Sequence, residues 1–415
     1  MSRQRTVSAM GFKKKPLWFN LINKTWSGTY ILGTKIKLEK DHLIKTARRK
    51  TGLQFFGNDF WEDPLDRLLY SVNEEAQLSP VGRFITKQRL VNMLEIRLRA
   101  ENDFRRRPEI LEQEIYPVQL ICGLQRTGTT KLQRLLAADP ENRVLLSWEA
   151  LNPVPLSDKP DEKEQRIKAA RLSEKALKLM APGFFSIHPV EYQQPEEDIL
   201  LLDITFMSTT AEATMHVPSY AAWLEQTDQS PAYQYMIRLL KHLQWQRPAK
   251  RWVLKSPHHM EFLGVIKKEF PQVQFIWTHR DITQSLPSFL SMVAHSQSIF
   301  SNEVSLVQVA NHWVSKTQYM LLKGMEFRKA NPDQHFTDVF YQELVEAPMK
   351  ALTEIYRSRG AISPELRQRF METEKKNMQN RYGIHSYRLQ DFGLNREEVE
   401  MMMQFYTNFL KTLSH

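Results

Sequence analysis

The chain has 415 residues, 42% hydrophobic and 25% charged, enough to bury a sizeable core in one large domain or two smaller ones. No apolar run approaches the roughly 20 residues of a membrane-spanning helix, and a single cysteine excludes an internal disulfide framework. The net charge of +10 is concentrated: residues 1–50 hold 13 Lys and Arg against Glu39 and Asp41, a balance of +11, and the remainder carries −1.

In that basic arm, 1–50, Lys13-Lys-Lys15 precedes Pro16-Leu-Trp-Phe-Asn-Leu-Ile22. A solvated arm wrapped on its own domain fits this pattern, and so does peripheral contact with a membrane surface. No nucleic-acid reader motif accompanies the charge, so no nucleic-acid partner is expected. The basic residues are not followed by a secretory h-region, and the lone Cys122 suits a reducing cytoplasm. Residues 51–115 read as a helical region packed on a main α/β domain, 116–415; Val91 to Ala100 is a representative stretch.

From Pro117 the pattern alternates short apolar strands with helices. Strands are expected at 117–122, 251–255, 273–278 and 335–340, each continuously apolar or nearly so, as buried parallel strands tend to be. Tyr233, Met236, Leu239, Leu240 and Leu243 make a helical stripe, and 303–329 reads as one long helix. Ser363-Pro364 reads as an N-cap with proline in the first helical position, and Asn395 with Glu398 as a capping box. The expected fold is a P-loop-type three-layer α/β/α sandwich around a central parallel sheet, with ligands at the carboxyl ends of the strands.

Those carboxyl ends carry the chemistry. The first leads into Gly123-Leu-Gln-Arg-Thr-Gly-Thr-Thr130, a strand–loop–helix that aims backbone N–H groups at an anion. Its glycine spacing is that of a Walker A loop, but Thr129 stands in the lysine position and a cation, Arg126, lies inside the loop. The second strand ends in Lys255-Ser-Pro-His-His259, the third in Thr278-His-Arg-Asp281, and the fourth in Tyr341. His279-Arg-Asp281 is not a kinase catalytic loop, because Leu286 occupies the asparagine position and no kinase glycine loop precedes it.

Taken in order, these segments resemble the sulfotransferase superfamily, in particular the broad microbial family with an R-[ST]-G-T-T loop. The resemblance spans about residues 117–392. It rests on Arg126-Thr-Gly-Thr-Thr130, Trp148-Glu149 with Pro153-Val-Pro155, Lys255 to His259, Arg280 with Ser288, Tyr341-Gln-Glu-Leu344 and Tyr382-Gly-Ile-His-Ser-Tyr387. It implies 3′-phosphoadenosine 5′-phosphosulfate as donor, 3′,5′-ADP as product and no metal. Arg126, Thr127, Gly128, Thr129 and Thr130 would hold the 5′-phosphosulfate, and Arg280 and Ser288 the 3′-phosphate. Tyr341 would lie by the adenine, and His385 in a loop closing over the nucleotide.

Pro287, inside the helix that must present Ser288, is expected to distort it. For the general base the resemblance offers His259 or Glu149, with Lys255 supporting the transferring group and Glu197 shaping the acceptor site. An ion pair with Arg126 is the alternative use of Glu149. Residues 160–246 and the N-terminal helices are expected to wall an acceptor pocket, with Tyr192, Phe206, Tyr220 and Trp223 as candidate aromatic surface. The acceptor would be a small molecule, lipid or glycan offering a hydroxyl or amine. A P-loop phosphotransferase and a non-catalytic nucleotide-loop scaffold are the other readings, and sequence gives no oligomeric state.

Overall fold

The structure, a computed structural model, describes Asn23 and residues 37–187, 189–377 and 388–413. Most of the basic arm, with its expected membrane contact, and the Tyr382–Tyr387 loop with His385 lie outside the described residues.

Five strands form one parallel sheet: β1 (Val118–Gly123), β2 (Asn142–Val144), β3 (Arg251–Lys255), β4 (Gln274–His279) and β5 (Phe336–Phe340). Their order across the sheet is β2-β3-β1-β4-β5. The four strands expected from apolar runs are present within a residue of their expected bounds. β2 is additional, only three residues long and too polar to stand out.

The sheet is buried on both faces, which is why its strands are apolar without alternation. Leu120, Cys122, Trp252, Leu254, Phe275 and Trp277 pack into one core, and Ile121, Val253, Ile276 and Val339 into another on the opposite face. The first core extends to the N-terminal helices α1 (Lys40–Thr51), α2 (Glu62–Glu74) and α3 (Pro80–Arg106), through Leu43, Leu65 and Leu94.

Further helices carry the site. They are α4 (Thr129–Leu136), α5 (Ser230–Gln246), α6 (Ile282–Phe300) and α7 (Leu306–Ala330). The stripe on α5 is fully buried. Asp281 caps α6 by accepting from the Thr283 N–H at 2.8 Å, and Pro287 is accommodated within the helix. Ser363 caps Pro364–Lys376 by accepting from the Leu366 N–H, and the Asn395/Glu398 capping box is present. Among the described residues no helix is long and apolar enough to cross a membrane.

Candidate active site

β1 ends at Gly123, whose φ of +127° brings its backbone against β4. A Cβ there would lie 2.5 Å from the Thr278 hydroxyl oxygen and 2.6 Å from the Thr278 carbonyl oxygen. The chain then turns through Leu124 to Thr127. Thr127 donates to the Leu124 carbonyl at 2.6 Å and bonds the Thr278 hydroxyl at 2.6 Å. Its side chain is therefore spent on holding the loop to the sheet. Gly128 (φ +94°) opens α4, and a Cβ on it would meet Leu344 at 3.0 Å and Tyr341 at 3.1 Å. Thr129 is buried in the first turn and Thr130 is exposed.

Arg126 has φ +66°, left-handed backbone that costs a non-glycine residue roughly 1–2 kcal/mol. The turn swings its side chain toward α6, where Nε donates to the Ser288 hydroxyl at 3.1 Å. Arg280, just past β4, donates to the Arg126 carbonyl at 3.0 Å and lies 3.9 Å above the Tyr341 ring. Its Nε is buried without a hydrogen-bond partner among the described residues. The structure thus brings together Arg126, Arg280, Ser288 and Tyr341. Burial, and then the nearby Arg280 charge, lower the Arg126 pKa. Two crowded guanidiniums, one with an orphaned donor, make a fitting cradle for anionic oxygens.

Neighbours of Arg280 in the His-Arg-Asp string face elsewhere. His279 is interior, bonded to Asp338 at 2.8 Å and to the Tyr406 hydroxyl at 2.9 Å. Asp281 is occupied as the cap of α6.

Beyond β3, Ser256 and Pro257 initiate a single 3₁₀ turn, Pro257–Glu261, with Ser256 accepting from the His258 N–H. Three residues per turn set successive side chains about 120° apart, so His258 and His259 face different surroundings. His259 is fully buried between Asp198 (Nε2···Oδ1 2.7 Å) and the Tyr233 hydroxyl (Nδ1···O 2.7 Å). The other Asp198 oxygen accepts from the Lys255 N–H at 2.8 Å. Lys255, 2% exposed, pairs with Glu197 at 2.7 Å. Sequence reasoning gave Asp198 no role; the need of a buried imidazole for partners was the available signal.

A cavity of about 310 Å³ lies between the loop and this turn, lined among others by Gln125, Glu197, Ser256, His258, Phe289 and Trp313. Glu197 sits on its wall, but Tyr192, Phe206, Tyr220 and Trp223 do not line it. Tyr220 and Phe206 are core, the Tyr220 hydroxyl donating to the Phe206 carbonyl at 2.8 Å. Part of the wall comes from residues 184–214, within the expected range; the rest is Gln125 of the loop, Ser256 with the 3₁₀ turn, α6 and α7 rather than the N-terminal helices.

A protein-family model described as Sulfotransferase family matches residues 117–365, the part of the chain that holds this whole arrangement. The chain belongs to the sulfotransferase family. No curated protein matches the sulfotransferase's sequence. Among solved structures it is similar to sulfotransferase STF1 from Mycobacterium tuberculosis, at 29% identity over 89% of this chain and 99% of that one, with a TM-score of 0.77. Sulfotransferase STF9 from Mycobacterium avium is 25% identical over 91% of this chain and 97% of that one, with a TM-score of 0.81.

Two expected bases of this sulfotransferase are otherwise engaged. His259 has both ring nitrogens bonded, as described. Glu149, 2% exposed, is gripped by Arg143 at 2.8 and 2.9 Å, approached by Arg247 at 3.2 Å, and accepts from the Leu146 N–H at 3.0 Å. Its partner is Arg143 and not Arg126. Burial pushes the Glu149 pKa up, but the two guanidiniums and the N–H outweigh it and hold the carboxyl below its ordinary range. Such a carboxylate resists protonation.

Glu149→Gln is therefore expected to act on stability. Breaking one side of a buried pair costs about 3–5 kcal/mol, so the melting temperature should fall clearly while nucleotide affinity is kept. Thermal denaturation beside calorimetry checks this. An unchanged melting temperature with lost turnover would return Glu149 to the chemistry.

Proposed function

We propose that this sulfotransferase takes its sulfuryl group from 3′-phosphoadenosine 5′-phosphosulfate and passes it to a hydroxyl acceptor in the 310 Å³ cavity. The observation that carries the proposal is the pair of guanidiniums, Arg126 and Arg280, delivered from two different strand ends, Arg280 bonded to the Arg126 carbonyl and Arg126 to Ser288. A nucleotide with anionic groups at both 5′ and 3′ ends matches two cations; a nucleotide with phosphate at one end leaves one of them unused.

In this reading the Arg126 side chain and the loop amides hold the 5′-phosphosulfate and stabilise the phosphate oxygen released as sulfuryl departs. Arg280, with its orphaned Nε, holds the 3′-phosphate with help from Ser288. The Tyr341 ring packs near the base, a role its position under Arg280 supports. Thr127 and Thr129 contribute backbone N–H groups, since their side chains are buried. Lys255 neutralises charge on the transferring group while Glu197 holds its ammonium in place. Such transfer is mostly positioning and electrostatics, by analogy with phosphoryl transfer.

Calorimetry with 3′,5′-ADP against ATP·Mg²⁺ tests the donor. Tighter binding of 3′,5′-ADP is expected, with no requirement for magnesium. Preference for ATP·Mg²⁺ would turn the reading toward a phosphotransferase.

A further inference from the structure

We infer that His258 takes the proton of the acceptor hydroxyl, and that the acceptor is an uncharged hydroxyl compound with a largely apolar body. The inference rests on the sulfuryl-transfer reading above and specifies its acceptor side.

His258 stands apart from the other interior histidines. His242 bonds Asp103 at 2.9 Å and Gln246 at 2.7 Å, and both ring nitrogens of His259 and His279 are likewise bonded. His258 is equally buried, yet neither of its ring nitrogens has a hydrogen-bond partner among the described residues. An unmade buried hydrogen bond costs about 1–3 kcal/mol, so such an imidazole is poorly explained as packing. Its ring is fixed in place, 4.9 Å from Phe262 and stacked near Tyr233 at 6.4 Å, and it lines the cavity.

Gln125, next to Arg126, lines the same cavity, so one space joins the phosphate loop to the unpartnered imidazole. Burial first, then the nearby His259 and Lys316, lower the His258 pKa well below the usual imidazole range. The ring is then neutral, with an unbonded lone pair on a nitrogen buried at the cavity wall. An anionic sulfuryl group arriving beside it favours the protonated ring during transfer.

The wall selects the acceptor. Its surface is mostly apolar, from residues such as Phe184, Leu200, Phe289, Met292 and Trp313, and among the described residues no Lys or Arg lines it. Glu196 adds negative charge, while that of Glu197 is paired with Lys255. An anionic acceptor meets Glu196 and no cation among the described lining residues, and a sugar would set most of its polar surface against apolar wall.

The step balances without a further reactant. The acceptor oxygen forms a bond to sulfur while the bond from sulfur to the bridging phosphate oxygen breaks, and that electron pair remains on the phosphate. The hydroxyl proton goes to a His258 ring nitrogen and later to solvent. The products are a sulfate monoester and 3′,5′-ADP.

The test uses the full chain, labelled donor and four acceptors: 2-naphthol, cyclohexylmethanol, N-acetylglucosamine and glucuronic acid. Label is expected on the first two alone. With 3′,5′-ADP binding intact, label on the saccharides alone, or on none of the four, overturns the inference. Loss of 3′,5′-ADP binding in the parent protein instead overturns the donor reading. His258→Asn and His258→Ala are expected to lower turnover by roughly 10²–10⁴-fold. Their 3′,5′-ADP affinity should be unchanged, and added imidazole should partly restore the alanine variant. Turnover kept in both variants, or lost without any imidazole rescue while His258→Asn stays active, removes His258 from proton transfer.

Discussion

Replacing Arg280 by alanine is expected to weaken 3′,5′-ADP binding by roughly 10- to 100-fold. A hydrogen bond to a charged group contributes about 1.5–3 kcal/mol, and each step of about 1.4 kcal/mol is tenfold in affinity. Arg280 also supports the loop, through the Arg126 carbonyl, and covers the Tyr341 ring, so part of any loss is structural. The comparison ligand separates the two contributions. 5′-AMP lacks the 3′-phosphate, so its affinity should change much less than that of 3′,5′-ADP. Calorimetry on both ligands and both proteins reads the difference directly. Equal losses for the two nucleotides would mean that Arg280 holds the loop and does not bind the 3′-phosphate.

The second large effect is expected at Lys316, on α7. Its ammonium is buried, 2.9 Å from Glu261, 3.0 Å from Glu225 and 3.7 Å from Glu212, while His312 pairs with the other Glu212 oxygen at 2.9 Å. Burial lowers the Lys316 pKa, but the three carboxylates outweigh it and hold the lysine charged. Lys316→Met leaves those carboxylates facing one another and should cost about 3–5 kcal/mol. For Glu261 burial dominates and pushes its pKa up to about 7, against an ordinary value of 4.5.

The sign follows from that elevation. The protonated Glu261 is favoured in the folded state, so its contribution to stability is complete below its unfolded pKa and is lost as pH rises through about 7. Denaturant melts on either side of that pH should show this slope in the parent and lose it in Glu261→Gln. A Lys316→Met protein as stable as its parent would mean that the cluster is solvated and its charges are already screened.

The sheet was legible wherever the chain wrote hydrophobicity without interruption. Leu120 to Cys122, Val253-Leu254 and Phe275 to Trp277 are apolar on both faces, as a covered parallel sheet requires. β2 escaped because Asn142 and Arg143 are polar. They are buried by partners far along the chain, Arg143 stacking on Trp252 and donating to the Arg247 carbonyl. That Arg126, Arg280 and Ser288 converge at the carboxyl end of the sheet was legible because each sits a fixed distance from a strand end.

The partners of Glu149 were illegible for the reason that hid β2. Its role is decided by Arg143, six residues away, and by Arg247, 98 residues away, neither of which spacing reveals. Which way His258 and His259 face hangs on the phase of one 3₁₀ turn, and on Asp198, 61 residues from His259, which it binds.

The contact between Arg280 and the Arg126 carbonyl has a thermodynamic meaning beyond placement. Two like charges held together raise the free energy of the unliganded loop, and an anion at either one relieves a strain that both experience. The two ends of the site are then a single cooperative element, whose response to a doubly anionic ligand is not the sum of its responses to two singly anionic halves. In the proposed reading a singly anionic half leaves the second guanidinium without a counter-charge, and that unmet charge separates it from the doubly anionic donor.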